Sequence, residues 1–576
     1  MPLVSVKEYR KPANLIYGVE DKPARWPLIA LGFQHAALLI SCLVASVFFA
    51  QEIGAGTSQT EALVNVGLIA GGIACILQSF PRGGIGSGYF CLHTSSFIYF
   101  HASVLAAKAG GLALVFGMTV FAGILEIGLS RIFARLRPLF PPEVAGLVVA
   151  MVGVAMTPYA LKSMLGLGEG VPDIHQYGII VGTGTFGLII GLNIWGRGAL
   201  KLYSILIGIC FGYLMSYTTG ILSQERLRIL EQIPLFALPH LEYTGFAFSG
   251  EFVFPFAIAA VCASLKLTGD IITCQKINDT QWIRVDMASV KRGLNAEGIG
   301  TAIAGLMGGT GLAASSSNIG MSLATGATSR SIGYVTGMFF IALAFFPRLA
   351  SLLSNMPKPV VGAIVLYAAC FMIVTGWSII MTRLLDTRKT VVIGISFILG
   401  MSVGMIPELY SGIPQGLKPI FGSSIALTAV TAVLLNLLFR IGVSSRAKLV
   451  LEAGLNAQHA IQDFIEVNGA TWGARRDVVM RAASVTCELY ENLTGVMNVE
   501  GAIRIEAVFD EYSLLVLAEY QGNAICLSAT RPSQEELFAD DDAFSRLAGY
   551  LISQMSDSVS QKSSNGRCQI TLKFDH

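Results

Sequence analysis

Fourteen apolar runs of bilayer length, separated by short connections that hold most of the basic residues, limit what this chain can fold into. They lie near 27–50, 61–80, 86–107, 110–131, 142–161, 175–195, 199–221, 252–274, 293–308, 310–326, 330–353, 358–381, 388–405 and 419–440. A hydrocarbon core about 30 Å thick takes about 20 apolar residues per helical crossing, so these runs predict membrane-spanning helices. Composition agrees, with 53% of the 576 residues hydrophobic and 13% charged, where soluble domains carry about 25% charged residues. The expected fold class is an all-α polytopic membrane protein. Residues 1–26 are polar, with five Lys/Arg, and the run that follows is too long for the h-region of a signal peptide, so no cleavable targeting segment is expected.

The basic residues read as topology. If the N-terminus is inside, the connections on that side hold about twenty-two Lys/Arg, among them Arg131, Arg135, Arg137, Arg197, Lys201, Lys276, Arg284, Lys291, Arg292, Arg383, Arg388 and Lys389, against about seven on the other. Both termini are therefore expected in the cytoplasm, and the membrane is read as the inner, or plasma, membrane. The formal net charge is +2, and the basic residues do not gather on one face, so no nucleic-acid partner is expected. Ten cysteines are scattered without a CxxC or Cys/His metal spacing, so no metal is expected. They read as small apolar side chains.

Division at the polar connection 223–250 gives seven runs on each side. An odd number per half inserts tandem copies in opposite orientations. The third run of each half is interrupted in the same way, by Gly83-Gly84-Ile85-Gly86-Ser87-Gly88 ahead of Tyr89 to Ser96, and by Gly308 to Gly320 with its serines. Paired interruptions at matching positions mark an inverted repeat with a solute site between the halves. A single such segment has an equally simple reading as close helix packing. Freed backbone groups are tolerated at membrane depth only where protein or a water-lined cavity satisfies them.

Lys266 stands in the run before the second interruption. An ammonium at the bilayer centre costs roughly 2.5 to 3.5 kcal/mol on insertion scales, so a lysine there faces a cavity or a partner. Asp270, four residues on, offers that partner as an i,i+4 ion pair, and solute binding and the structural pair are compatible in alternate states. His35, Glu297 and Asp270 are the groups in the runs expected to carry a coupling proton; His35 and Glu297 also have bland readings as hydrogen-bonded helix contacts. Glu126 and His93 receive no role in this reading.

After Arg440 the pattern turns soluble and acidic, with Glu535-Glu536 and Asp540-Asp541-Asp542. Arg475–Thr494 and Phe544–Ser556 read as helices, and 503–508, 513–519, 524–529 and 569–574 as strands, giving a small α+β domain. The expected domains are a cytoplasmic segment 1–26, a first repeat 27–222, a connection 223–250, a second repeat 251–441 and the α+β domain 446–576.

The membrane part resembles the nucleobase–ascorbate transporters, which include uracil and xanthine permeases. The resemblance rests on Gly32-Phe33-Gln34-His35, Phe140-Pro141-Pro142-Glu143-Val144-Ala145-Gly146, and Ser204 to Tyr213. It rests further on Gly293-Leu294-Asn295-Ala296-Glu297-Gly298, Ser317-Asn318-Ile319-Gly320 with Thr325-Gly326 and Ser329-Arg330, and Met356-Pro357-Lys358-Pro359-Val360-Val361-Gly362. It implies a fourteen-helix inverted repeat split into core and gate, a homodimer, and proton-coupled symport. It puts Gln34 and His35 on the core face of the first helix, Tyr89 and Phe90 on a short strand in the third span, and Ser317 and Asn318 at the signature opening the tenth. Lys266 stands where the family carries an acidic solute ligand, and Ser317 where it carries an acid or amide. An ammonium donates and cannot accept, which suits an anionic or carbonyl-rich solute.

The C-terminal domain resembles the anti-sigma-type GHKL ATPase fold. Glu488 and Asn492 match its magnesium and nucleotide helix, but Tyr520-Gln521-Gly522 replaces the adenine-reading Asp-x-Gly and no glycine-rich lid precedes Leu547. The resemblance therefore implies a degenerate nucleotide site, with no ATP as cofactor, and a regulatory domain open to a cytoplasmic protein partner. The expected protein is not an enzyme. It is a secondary-active transporter of a nucleobase-like anionic solute, a purine such as xanthine or urate, with the bilayer and the solute as partners. The alternatives are a transceptor signalling through the C-terminal domain and a transporter of another organic anion.

Overall fold

A computed structural model describes residues 11–575 apart from 82, 137–140, 168–175, 223–231, 243, 281, 283–284, 383–384, 415–416, 440–443, 452–456, 498, 500, 511–512, 528–531, 533–542 and 565. Arg137, Arg284, Arg383, Glu535-Glu536 and Asp540 to Asp542, together with part of the 223–250 connection, lie outside the described residues. The chain forms two compact units, one of residues 1–382 with 387–435 and one of 383–386 with 436–576.

The first unit follows the apolar runs. Its helices are α1 (Arg25–Cys42), α2 (Val44–Glu52), α3 (Thr57–Ser79), α4 (Phe100–Leu136), α5 (Pro142–Met164), α6 (Gln176–Trp195), α7 (Ala199–Leu202), α8 (Ser204–Thr218), α9 (Val253–Asn278) and α10 (Met287–Leu306). After these come α11 (Ser316–Thr325), α12 (Arg330–Leu343), α13 (Pro347–Ser354), α14 (Lys358–Ile380), α15 (Thr387–Met405), α16 (Lys418–Phe421) and α17 (Ser424–Phe439). Among the described residues eight helices are long and apolar enough to cross a membrane, or nine if the pair α12 and α13, bent by 79°, is one span. Two sets pack among themselves: α1, α3, α4, α9, α10 and α12 in a core, and α5, α6, α8, α14 and α15 in a gate.

The third and tenth runs are not continuous helices. Strands β1 (His93–Ser95) and β2 (Leu312–Ala314) pair antiparallel, His93 opposite Ala314, Thr94 opposite Ala313 and Ser95 opposite Leu312. The amide of Ser315 donates to the Leu92 carbonyl at 2.7 Å and that of Ser96 to Gly311 at 3.2 Å. Each half thus satisfies the backbone that the other frees, which is what extended chain at membrane depth requires. Tyr89 and Phe90 lie before the strand rather than on it. The reason is the glycine run: Gly86 has φ +81, and a Cβ there would strike the carbonyls of Leu77 and Phe80, so only glycine makes this turn. Helix α4 spans two predicted runs, and Gly111, at φ +69, breaks it between them.

The second unit is a five-stranded antiparallel sheet in the order β3 (Ser445–Leu451), β4 (Ile503–Phe509), β5 (Ser513–Gln521), β7 (Arg567–Asp575), β6 (Ser558–Ser564). Helices α18 (Ala457–Thr471), α19 (Arg476–Glu491) and α20 (Ala543–Met555) accompany it. Alternation puts Ile503, Ile505, Leu514, Val516, Ile570 and Leu572 into a core with Ile461, Val478 and Leu489. The expected strand 524–529 is a correction: residues 523–527 form no strand, and 528–529 lie outside the described residues. Gly522 sits at φ +153 and the Tyr520 hydroxyl donates to the Asn523 carbonyl, which turns the chain out of the sheet. The sheet edges are β3 and β6 instead: β3 alternates with Leu449 and Leu451 toward the core, and β6 is polar at every position but Val559.

Candidate functional site

Where β1 meets β2, the side chains of α1, α9 and α11 converge. The Lys266 ammonium donates to the Ala314 carbonyl at the end of β2 and to Asp270 Oδ2 at 3.2 Å, with side chains 25% and 13% exposed. Helical spacing of four puts the two on one face, so the ion pair follows directly from the sequence. Asp270 is held in turn by the Ser316 hydroxyl, 2.9 Å from Oδ1 and 3.1 Å from Oδ2. Lys266 thereby uses two of its three donors among the described residues, and the third is left for a further acceptor.

His35 is buried on α1 with its Nδ1 2.9 Å from Asn318 Oδ1, while the Asn318 amide nitrogen donates to Ser315 Oγ at 3.0 Å. With the Asn318 amide in this orientation its Oδ1 accepts from His35 Nδ1, and the buried Nε2 has no hydrogen bond among the described residues. The rings of His35 and Phe90 meet edge to face, with centroids 4.6 Å apart. Helix α11 begins at the N-cap Ser315 and ends in left-handed Gly326, so its N-terminal amides open beside Lys266. A helix N-terminus and an ammonium together favour an acceptor-rich or anionic guest.

The expected residues do not all come together. Lys266, Asp270, Asn318, His35, Phe90 and the buried Tyr89 gather around the strand pair. Ser317 is exposed on the first turn of α11, and its neighbours Ser315 and Ser316 make the contacts to Asn318 and Asp270. Gln34 is half-buried and offers its backbone carbonyl to the Tyr203 hydroxyl at 3.5 Å. Glu297 is fully buried on α10, 3.6 Å from His93 Nε2, a pairing that sequence reasoning missed along with the hydrogen bond from Tyr99 to Glu126. The available signal was the presence of ionisable side chains inside apolar runs. The run Ser315-Ser316-Ser317 also spelled a helix N-cap.

In the second unit, Asn492 is buried and neither atom of its amide has a hydrogen bond among the described residues. Burial and the nearby Glu491 push the Glu488 carboxyl above the ordinary carboxylate range. Among the described residues no group of three His, Cys, Asp or Glu side chains is placed to hold a metal ion.

Two interrupted spans paired through strands, on a core of helices set beside a gate, define a multi-pass membrane transport protein built as an inverted repeat. Residues 27–409 match the sequence profile Xan_ur_permease, described as a permease family, and the chain belongs to that family. A protein of Clostridium perfringens named a purine permease is 27% identical over 73% of this chain and 92% of its own length. The xanthine permease of Escherichia coli K12 is 25% identical over 74% of this chain and 95% of its own. Among solved structures, the murine Solute Carrier 26 family member A9 anion transporter shares the fold, with a TM-score of 0.50 and 12% identity over 76% of this chain and 72% of that one.

Proposed function

We propose that this chain is a secondary-active, proton-coupled symporter of an anionic or oxo-rich purine such as xanthine or urate. It would work in the inner membrane as a homodimer with both termini in the cytoplasm. The observation that carries the reading is the Lys266 ammonium, tied to Asp270 and the Ala314 carbonyl with one donor to spare, beside the N-terminus of α11. Relatives named for purine and xanthine supply the solute class. Because Asp270 balances Lys266, the site selects by a charge-assisted hydrogen bond rather than by net positive charge. Such bonds contribute about 1.5–3 kcal/mol, or roughly tenfold to a hundredfold in affinity.

A purine oxygen would accept from Lys266, and the ring would lie near Phe90 and Tyr89. His35, Asp270 and Glu297 are the groups able to take up a proton as the two sides alternate. The C-terminal unit would act as a regulatory or docking module. The test is uptake of radiolabelled xanthine, urate and uracil into proteoliposomes with and without an imposed proton gradient. Xanthine or urate accumulation that follows the gradient and collapses with a protonophore supports the reading. Uptake indifferent to the gradient removes the proton, and accumulation of none of the three removes the solute class.

A further inference from the structure

Ahead of the first helix, residues 15–21 lie along the turn that joins α11 to α12. The amides of Ile16 and Tyr17 donate to the Gly326 carbonyl at 2.8 and 3.0 Å, and the amides of Thr328 and Arg330 donate back to the carbonyls of Tyr17 and Val19 at 2.8 and 3.2 Å. Exposure alternates along the segment: Leu15 and Val19 are 5% and 3% exposed, whereas Ile16 between them is 65% exposed. Gly326, at φ +65, caps α11, and a Cβ there would stand 3.1 Å from the Asn14 carbonyl oxygen and 3.3 Å from the Ile16 nitrogen. So close an approach of the segment needs glycine at the helix cap.

The segment is closed on itself and tied to two further helices. Lys11 Nζ donates to the Ile16 carbonyl at 2.7 Å and to Asp21 Oδ2 at 2.6 Å, and that oxygen also accepts from the Gly18 amide at 2.9 Å. Arg330, which opens α12, pairs with Glu20. The Thr328 hydroxyl lies 2.6 Å from Asn278 Oδ1 at the end of α9 and 3.1 Å from the Tyr17 carbonyl. Val19 shares one buried cluster with Tyr89, Leu267, Ala314 and Ile319. These adjoin the solute contacts: Ala314 gives its carbonyl to Lys266, and Leu267 and Ile319 follow Lys266 and Asn318 in the chain.

We infer that residues 15–21 are a strap that positions the half-helix α11 for the solute, with Val19 as the positioning residue. The inference rests on the reading of this site as a solute site. Helix α11 has ten residues, about 15 Å at 1.5 Å per residue, and moves as one piece. Holding its Gly326 end therefore fixes where its other end stands, and there Ser316 meets Asp270 and Asn318 meets His35. The strap acts on how often the site is assembled and not on which solute it prefers. A site assembled for only part of the time binds every solute more weakly by the same factor.

The test uses the full-length protein in nanodiscs, with two readouts: amide hydrogen exchange by mass spectrometry in the absence of solute, and binding of xanthine, urate and uracil. Val19→Asp puts a carboxylate into the buried cluster and should release the strap. The amides of α11 should then exchange about tenfold faster or more, while those of the gate helix α14 keep their wild-type rates. Affinity for each solute that wild type binds should fall by one common factor, about tenfold or more, with the order of solutes kept. Val19→Ala should fall between Val19→Asp and wild type in both readouts. Ile16→Asp, on the outward side of the strap, should match wild type.

Wild-type exchange of α11 in Val19→Asp would overturn the inference. Faster exchange with unchanged affinity would overturn it as well, because the strap would then brace a helix without the solute feeling it. So would a changed order of solutes, which requires Val19 to act on solute choice. If Val19→Asp loses its fold, seen as faster exchange in α14 too, Val19→Ala decides: faster α11 exchange together with weaker binding supports the strap, and either one at its wild-type level overturns it. Wild type that binds none of the three solutes sinks the solute reading, and the exchange of α11 then decides whether the strap holds the half-helix.

Discussion

His35 Nδ1 lies 2.9 Å from Asn318 Oδ1, a bond that ties the first helix of the core to the half-helix opening the second interruption. It joins residues 283 positions apart, and it is buried. With the amide oxygen facing it, His35 donates from Nδ1, and its buried Nε2 has no hydrogen bond among the described residues.

From this pair we expect Asn318→Ala to weaken xanthine binding by about tenfold or more, since it strands a buried donor at a cost of about 1–3 kcal/mol. Asn318→Asp replaces the neutral acceptor by a carboxylate, which favours a protonated His35 and should move the pH dependence of binding upward. Calorimetric titration of both variants against pH checks this. Equal affinity and an unmoved profile in both would show that the bond is incidental to the site.

Helices α3 and α12 cross where Gly72 faces Gly337. A Cβ on either residue would come within 2.6 Å of the other's carbonyl oxygen. Enlarging either one overpacks a contact that has no slack, at about 1–3 kcal/mol for each added group. Gly337→Leu is therefore expected to lower the thermal midpoint in detergent and to cut uptake. Gly394→Leu, at a position with open space around it, should do neither.

The apolar runs made the helices legible, and the two glycine-rich interruptions pointed to the strand pair around which the candidate site gathers, because both depend on length and composition alone. The break at Gly111 and the exact place of β1 were not legible. They are set by where the chain can turn through left-handed backbone without striking its neighbours. Lys266 and Asp270 were legible as a pair through helical spacing, whereas His35 with Asn318 and His93 with Glu297 join distant segments and have no local signature. In the second unit β6 escaped because an edge strand facing water is polar here at every position but Val559, while β3 does alternate, with Leu449 and Leu451 toward the core.

Glu488 gives the second unit a pH dependence of known sign. Burial and Glu491 raise its folded-state pKa, so the folded unit holds this proton more tightly than the unfolded chain does. Its stabilising contribution is complete below the unfolded carboxylate pKa and is lost as pH rises through the folded value. The group is half-buried, so solvent screening keeps the effect small. Urea unfolding of a fragment spanning residues 436–576 should show stability falling slightly across the carboxylate range, and Glu488→Gln should flatten that slope. A slope of the opposite sign would refute the burial argument.

Lys266 and Asp270 give the sharpest test of how the solute is read, because the two should shift selectivity in opposite directions. At about 4 Å and an effective dielectric near 20, one unpaired charge contributes roughly 4 kcal/mol before desolvation. The 3.2 Å ion pair cancels most of that beyond its own neighbourhood. Asp270→Asn removes the balancing charge, so an anionic purine should gain over a neutral one, by about tenfold if a third of the unpaired energy survives. Lys266→Ala leaves Asp270 alone with Ser316, so the anion should lose and the neutral base should fall less. Lys266→Glu should go further, reversing the order of urate and uracil. The measurement is one binding panel of urate, xanthine and uracil across wild type and the three variants, with thermal midpoints recorded for each. If both residues only brace α9 against β2, the two single variants will lose midpoint and affinity together and keep the wild-type order of solutes.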